Sequence, residues 1–224
     1  MILAIETATE VCSVAFQNEE GAVYGKRIQG RSVHANSLFL FIQQLMEDHQ
    51  FKLTDLKAVL VSNGPGSYTG LRIAASAVKG LLFGTSVDLF AVNTLAGFAE
   101  GVREENGDHT IHAIIDARRT HVYHEAFWCE NDRLYSKSKP VVMEIAAFET
   151  KLQHGDVIVG TGAARLSSKK LASVKVFGSD SISAESLIEL FNNQPDAPFF
   201  MKTTPLDLDP EYITSNQVNN TWGQ

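Results

Sequence analysis

The chain is short of cysteine, with two in 224 residues, too few for a disulfide framework or a cysteine-rich zinc site. Cys12 and Cys129 stand on separate apolar stretches, so free buried thiols in a reducing compartment are expected. Positive charge is also scarce. The net charge of -7 argues against a protein that grips nucleic acid unaided, because phosphate binding runs on clustered Lys and Arg. Adjacent basic pairs occur only at Lys26-Arg27, Arg118-Arg119 and Lys169-Lys170. No run approaches the ~18 apolar residues of a membrane span. The opening Met1-Ile2-Leu3-Ala4-Ile5-Glu6 has no basic n-region and meets an acid at Glu6, unlike a signal peptide. A cytoplasmic protein is expected. Proline is sparse until Pro195, Pro198, Pro205 and Pro210, where the chain turns mostly extended.

Several catalytic signatures are missing too. The Walker pattern G-x-x-x-x-G-K-[ST] and the zinc pattern H-E-x-x-H do not occur. Ser67 stands in Gly-Ser-Tyr-Thr-Gly rather than in a nucleophile elbow. His109 and His112, and His121 and His124, show an H-x-x-H spacing. Both pairs fall on predicted strands, where residues three apart face opposite ways. Partly exposed strand histidines are expected there, not ligands.

What is present centres on Ser62-Asn63-Gly64-Pro65-Gly66-Ser67-Tyr68-Thr69-Gly70-Leu71-Arg72. Ala58 to Val61 reads as a buried strand before it, and a helix runs on to Phe83. The glycines therefore sit at a strand-to-helix corner, with Ser67 or Thr69 as N-cap. Such a corner can aim free N–H groups at an anion. Glu6, Thr7, Gly64, Gly66 and Ser67 form the candidate nucleotide or anion corner. At ~100° per residue the helix carries an apolar arc of roughly 220°, leaving only Arg72, Ser76 and Lys79 as a polar stripe. The preceding helix, Ser32 to His49, has an arc of roughly 160°. Burial inside the monomer or beneath a partner's helix would each account for the surplus.

In order, strands are expected at Ile2 to Glu6, Val11 to Phe16 and Ala22 to about Ile28. Helix, strand, helix, strand (Val87 to Val92) and helix (Thr94 to about Glu104) follow. This is the order of a ribonuclease-H-like α/β unit. The polar stretch 104–108 is the expected boundary, between lobes 1–105 and 106–224. The second lobe partly repeats the first: strands at Thr110 to Asp116, His121 to Cys129 and Arg133 to Met143, a helix from Glu144 to about Gln153, then strands at Val157 and Val174 and a helix from Ser183 to Asn193. Gly160-Thr161-Gly162 is expected to be a simple β–α turn. Asp116-Ala117-Arg118-Arg119 marks the second lobe's counterpart of the Glu6 corner, where an Asp–Arg pair would steady a hairpin.

Ile5-Glu6-Thr7-Ala8, the Gly64–Arg72 motif and Ile115-Asp116-Ala117-Arg118 together resemble the TsaB (YeaZ) family, over roughly residues 1–125. The resemblance implies an α/β fold of two ribonuclease-H-like lobes, as in sugar kinases, Hsp70 and actin. It also implies a non-catalytic subunit that binds and activates its paralogue TsaD. TsaD transfers a threonylcarbamoyl group to N6 of the adenosine beside the tRNA anticodon. TsaE would be a third component, and tRNA would be met only through the complex. TsaD holds its metal through a pair of helical histidines; His34 has no such companion. The resemblance assigns the two over-wide helices to a four-helix bundle with TsaD, or with a second copy in isolation. Phe39, Ile42, Leu45, Met46, Leu71, Ile73, Ala77 and Gly80 are the expected contact residues. No cofactor of its own is implied, with ATP or ADP shared at the partner interface as the alternative. Glu10 in the first turn disfavours an independent kinase-like ATPase, and a metallopeptidase lacks its ligands. At the tail Pro210-Glu211-Tyr212 matches the family's Pro-x-Tyr, whereas Ile213-Thr214 replaces the usual Leu-Arg.

Overall fold

A computed structural model describes residues 1–103 and 109–213. The expected boundary at 104–108 and the last residues of the tail lie outside that range. β1 (Ile2–Glu6), β2 (Val11–Gln17) and β3 (Val23–Gln29) form an antiparallel meander. There follow α1 (His34–His49), β4 (Ala58–Ser62), α2 (Tyr68–Leu81), β5 (Asp88–Val92) and α3 (Thr94–Glu100). β1, β4 and β5 run parallel, as helical crossovers require. This is the order expected from the sequence.

The second half contains β6 (Ile111–Asp116), β7 (His121–Glu130), β8 (Arg133–Ser136), β9 (Val141–Glu144) and α4 (Ile145–Glu149). β10 (Val157–Val159), α5 (Ser168–Leu171), β11 (Lys175–Phe177), α6 (Glu185–Asn193) and β12 (Phe200–Thr203) complete it. The long strand expected from Arg133 to Met143 is divided into β8 and β9. Both pair with β7, at opposite ends of it. Pro140 lies in the break, where it has no N–H to give a ladder. The helix expected to run to Gln153 stops at Glu149.

Among the described residues the strands form two six-stranded sheets. The first has the order β12-β5-β4-β1-β2-β3, so its edge strand β12 comes from the far end of the chain. Phe200–Thr203, from the stretch assigned to the second lobe, pairs antiparallel with β5. α6 also returns, packing on α3 and on the back of β1 and β2.

β1 shows how the layers are built. Leu3 and Ile5 point to one face, where Leu38, Ile42 and Leu45 of α1 meet Ala74 and Val78 of α2. Ile2 and Ala4 point to the other, into a core shared with Leu95 and Phe98 of α3, Leu187 and Ile188 of α6, and Phe127 of the second sheet. The two sheets therefore share one core across their boundary. A sheet covered on both faces carries a near-continuous apolar strand, as Ile2-Leu3-Ala4-Ile5 does.

Candidate partner-docking site

α1 and α2 lie side by side on the outer face of the first sheet, and their apolar arcs are only partly used by it. Leu38, Ile42 and Leu45 of α1 and Leu71, Ala74 and Val78 of α2 are buried in the chain's own core. The next residues round each helix form a groove of about 460 Å³. Its floor is Ala35, Ile73 and Ala77; Phe39 and Tyr68 stand on its rim at 52% and 55% exposure.

The expected contact residues divide on this geometry. Phe39, Ile73 and Ala77 line the groove, Ala77 from below, since it is 3% exposed and also part of the core; Met46 is half-buried, and Gly80 is exposed, with nothing within 4 Å of the position a Cβ would take. Ile42, Leu45 and Leu71 are turned inward instead: they are 1–2% exposed, and Ile42 and Leu45 belong to the core between the helices and the first sheet. The physical reason is the 3.6-residue period, which gives α1 an inward row at 34, 38, 42 and 45 and leaves 35 and 39 outside. Tyr68, Thr69, Arg72 and Ser76 also line the groove; the sequence reads Thr69 as a possible cap and Arg72 and Ser76 as part of a polar stripe. Their signal was available, since 69, 72/73 and 76 follow one another at helical spacing.

Arg72 is held in place on this rim. Its guanidinium carbon sits 4.1 Å from the centroid of the Tyr68 ring, and its Nε donates to the Tyr212 hydroxyl at 3.2 Å. Tyr212 leans on Tyr68, with ring centroids 5.1 Å apart. The tail reaches this position because Asn63 anchors it at both ends of its side chain and backbone. The Asn63 amide donates to the Asp209 carbonyl at 3.0 Å, and the Glu211 N–H donates to the Asn63 carbonyl at 2.7 Å. Gly64, at φ 125°, leaves the room: a Cβ there would lie 2.2 Å from the Glu211 carbonyl oxygen.

The corner below the groove is packed upon itself. Ser67 caps α2 as expected, its hydroxyl accepting from the Gly70 N–H at 3.2 Å. The Ser67 N–H, however, donates to the Ala8 carbonyl at 2.6 Å, and the Gly64 N–H to the Thr94 hydroxyl at 3.0 Å. The Thr7 hydroxyl donates to the Gly70 carbonyl at 2.9 Å. Added Cβ atoms at Gly66 and Gly70 would lie 2.5 and 2.0 Å from the carbonyl oxygens of Ala8 and Thr7. The first turn thus lies where an anion was expected. The glycines serve that close approach, and Glu6, Thr7, Gly64 and Ser67 each bond to other residues of the chain. Glu6 is fully buried; it accepts from the Ala8 N–H at 2.6 Å and from the Ser62 hydroxyl. Burial pushes its carboxyl up to about 7, against the pull of those two hydrogen bonds.

Elsewhere the polar groups are structural. Asp116 does steady its hairpin, but its ionic partner is Arg165, at 2.8 Å, while the Arg118 N–H donates to it at 2.8 Å. His112 and His124 were expected partly exposed; they are buried, at 5% and 4%. Each comes from a different H-x-x-H pair, and the antiparallel register of β6 on β7 brings them together. Sequence spacing misses Glu125, which is buried between an Asn93 amide and a Ser136 hydroxyl and pushed up to about 7 by desolvation. Among the described residues no group of three or more His, Cys, Asp or Glu could hold a metal ion. No described helix is long and apolar enough to cross a membrane.

Comparison with known proteins matches residues 29–158 to the family described as TsaD, tRNA N6-adenosine threonylcarbamoyltransferase. The tRNA threonylcarbamoyladenosine biosynthesis protein TsaB of Escherichia coli (strain K12) is 37% identical over 132 residues, 59% of this chain and 55% of that one. Its counterpart in Bacillus subtilis (strain 168) is 30% identical over 133 residues, 59% and 57% of the two chains. Alignment with these relatives thus spans little more than half their length. The solved structure of YeaZ from Pseudomonas aeruginosa superposes with a TM-score of 0.80 at 25% identity, covering 95% of this chain and 99% of that one.

Proposed function

Since this chain belongs to the TsaD family, with its likeness to TsaB (YeaZ) members, we propose that it is a non-catalytic subunit of tRNA threonylcarbamoyladenosine synthesis. It binds a TsaD-type transferase and activates it for threonylcarbamoyl transfer to N6 of the adenosine beside the anticodon. The observation that carries this proposal is the groove between α1 and α2, apolar in its floor and left open by the monomer. A helix laid into such a groove buries apolar side chains at i, i+3 and i+4. TsaE is the third component of the assembly, and a second copy of the chain covers the same face when the transferase is missing. tRNA is reached through the complex.

No nucleotide site of its own is assigned. The Glu6 corner supports this, because the Glu6 carboxylate, the Thr7 hydroxyl and the Gly64 and Ser67 N–H groups are engaged within the chain. ATP or ADP shared with the transferase at the interface is the place left for a nucleotide. The test is reconstitution: the chain is mixed with the cognate transferase and TsaE, and modified tRNA is measured with and without it. Modification that needs the chain is expected. Full modification in its absence, or turnover of ATP or peptide by the chain alone, would overturn the proposal.

A further inference from the structure

The groove is not uniformly apolar, and its single charged lining residue is the informative one. Arg72 is exposed, yet its guanidinium lies over the Tyr68 ring and is tied through Nε to Tyr212. An unrestrained arginine on a helix surface samples many rotamers, and binding through it costs that freedom. Here the stack has already removed much of it. The bond uses Nε and leaves the two terminal nitrogens, which form the fork suited to a carboxylate. Among the described residues no ion pair engages Arg72; Asp209 is near enough to be felt but makes no ion pair with it.

We propose that Arg72 is the specificity anchor of this face, and that its occupant is a partner helix carrying apolar side chains for the groove and a carboxylate for the Arg72 fork. This rests on the docking reading above and adds the chemistry of what docks. Charge excludes a second copy as the favoured occupant. α2 contributes Arg72 and Lys79 and no acid. α1 has its acids only at Glu47 and Asp48 in its last turn, the first accepting from Gln43 and the second paired with Lys26. A self-pair through these helices would therefore offer Arg72 only those two last-turn carboxylates, each already holding a partner in its own chain. Tyr212 is a positioning residue: it bonds Arg72 and acts by holding the guanidinium.

The test measures binding of the full chain to the TsaD-type transferase of the same organism by titration calorimetry at two salt concentrations, and self-association of the chain by sedimentation. Arg72→Ala should weaken the heterocomplex about tenfold and flatten its salt dependence, and Arg72→Glu should weaken it further. Arg72→Lys, which keeps the charge without the planar fork, should fall between parent and Arg72→Ala. Tyr212→Phe should cost a few-fold in the parent and nothing in the Arg72→Ala background, since coupled residues are not additive. Self-association should be unmoved by all four. Thermal melts equal to the parent's guard against misfolding. Arg72→Glu binding within twofold of parent, with Gly80→Trp abolishing the complex, would overturn the anchor and leave the docking face standing. Unaltered binding by Gly80→Trp as well would overturn both.

Discussion

His112 and His124 face each other across β6 and β7 with Nδ1 and Nε2 3.0 Å apart, and His112 Nε2 lies 3.2 Å from Asp156 Oδ2. One shared proton satisfies the first contact, so two neutral rings fit it and two charged ones do not. Burial lowers His124 from 6.5 to about 3 and lowers His112 as well, with Asp156 opposing in the second case. The folded state then binds fewer protons than the unfolded chain below pH 6.5, so stability is lost as pH falls from there towards 3. Because Glu6 and Glu125 add stability over the same fall in pH, the loss is read as a difference: in denaturant titrations at pH 7.5, 6 and 5 the parent should lose stability relative to His124→Asn. Parallel acid limbs for parent and variant would refute the assignment.

Glu6 slopes the other way. Its carboxyl is raised from 4.5 to about 7 by burial, so the folded chain holds the proton more tightly. The contribution is fully present below pH 4.5 and is lost as pH rises through 7, by up to about 3 kcal/mol. Glu6→Gln keeps a neutral group that can accept from Ala8. It should remove this alkaline-side loss and gain on the parent between pH 6 and 8. A variant with the parent's slope in that window would show that another group titrates there; Glu125, also raised to about 7, is the one to replace next.

The two faces of α2 should separate folding from association. Leu71→Ala opens a cavity beneath the helix and should destabilise the monomer by about 2–5 kcal/mol. Gly80→Trp projects into space that no atom occupies within 4 Å, so the melting temperature should hold. The complex should weaken by about 1–3 kcal/mol or more through overpacking. Fluorescence-monitored unfolding and sedimentation of the mixture distinguish the cases, and the reverse pattern would mean that the helix is rotated from the position described.

Gly70 tests the packing of the corner. Its added Cβ would lie 2.0 Å from the Thr7 carbonyl oxygen, a backbone atom with little freedom to yield. Gly70→Ala should therefore cost about 2 kcal/mol or more despite alanine's better helix propensity. A gain in stability would show that the first turn does not lie against α2.

Much of the fold was legible because strand runs, turn residues and helical periods are local signals. β1 to α3 follow the expected order, and Ser67 caps α2 as its position suggested. The candidate site was half legible. An over-wide arc says that a helix has apolar surface to spare, but the arc alone does not orient it. Phe39, Ile73 and Ala77 came out on the groove, while Ile42, Leu45 and Leu71 turned inward. The corner at Glu6 misled for a related reason. Glycines permit a close approach without saying whether an anion or another loop makes it, and here Thr7 and Ala8 do.

From its residues alone this chain determined its layered α/β order, its N-caps and turns, and the existence of two helices with apolar surface beyond a half-buried need. Those properties depend on neighbours within a few positions. Contacts between distant segments were decided by the tertiary structure: β12 closing the first sheet, His112 meeting His124, and Tyr212 fixing Arg72 at the groove. Such pairs join residues from 12 to 140 positions apart, and what brings them together is sheet register and the shared core rather than any pattern readable along the chain.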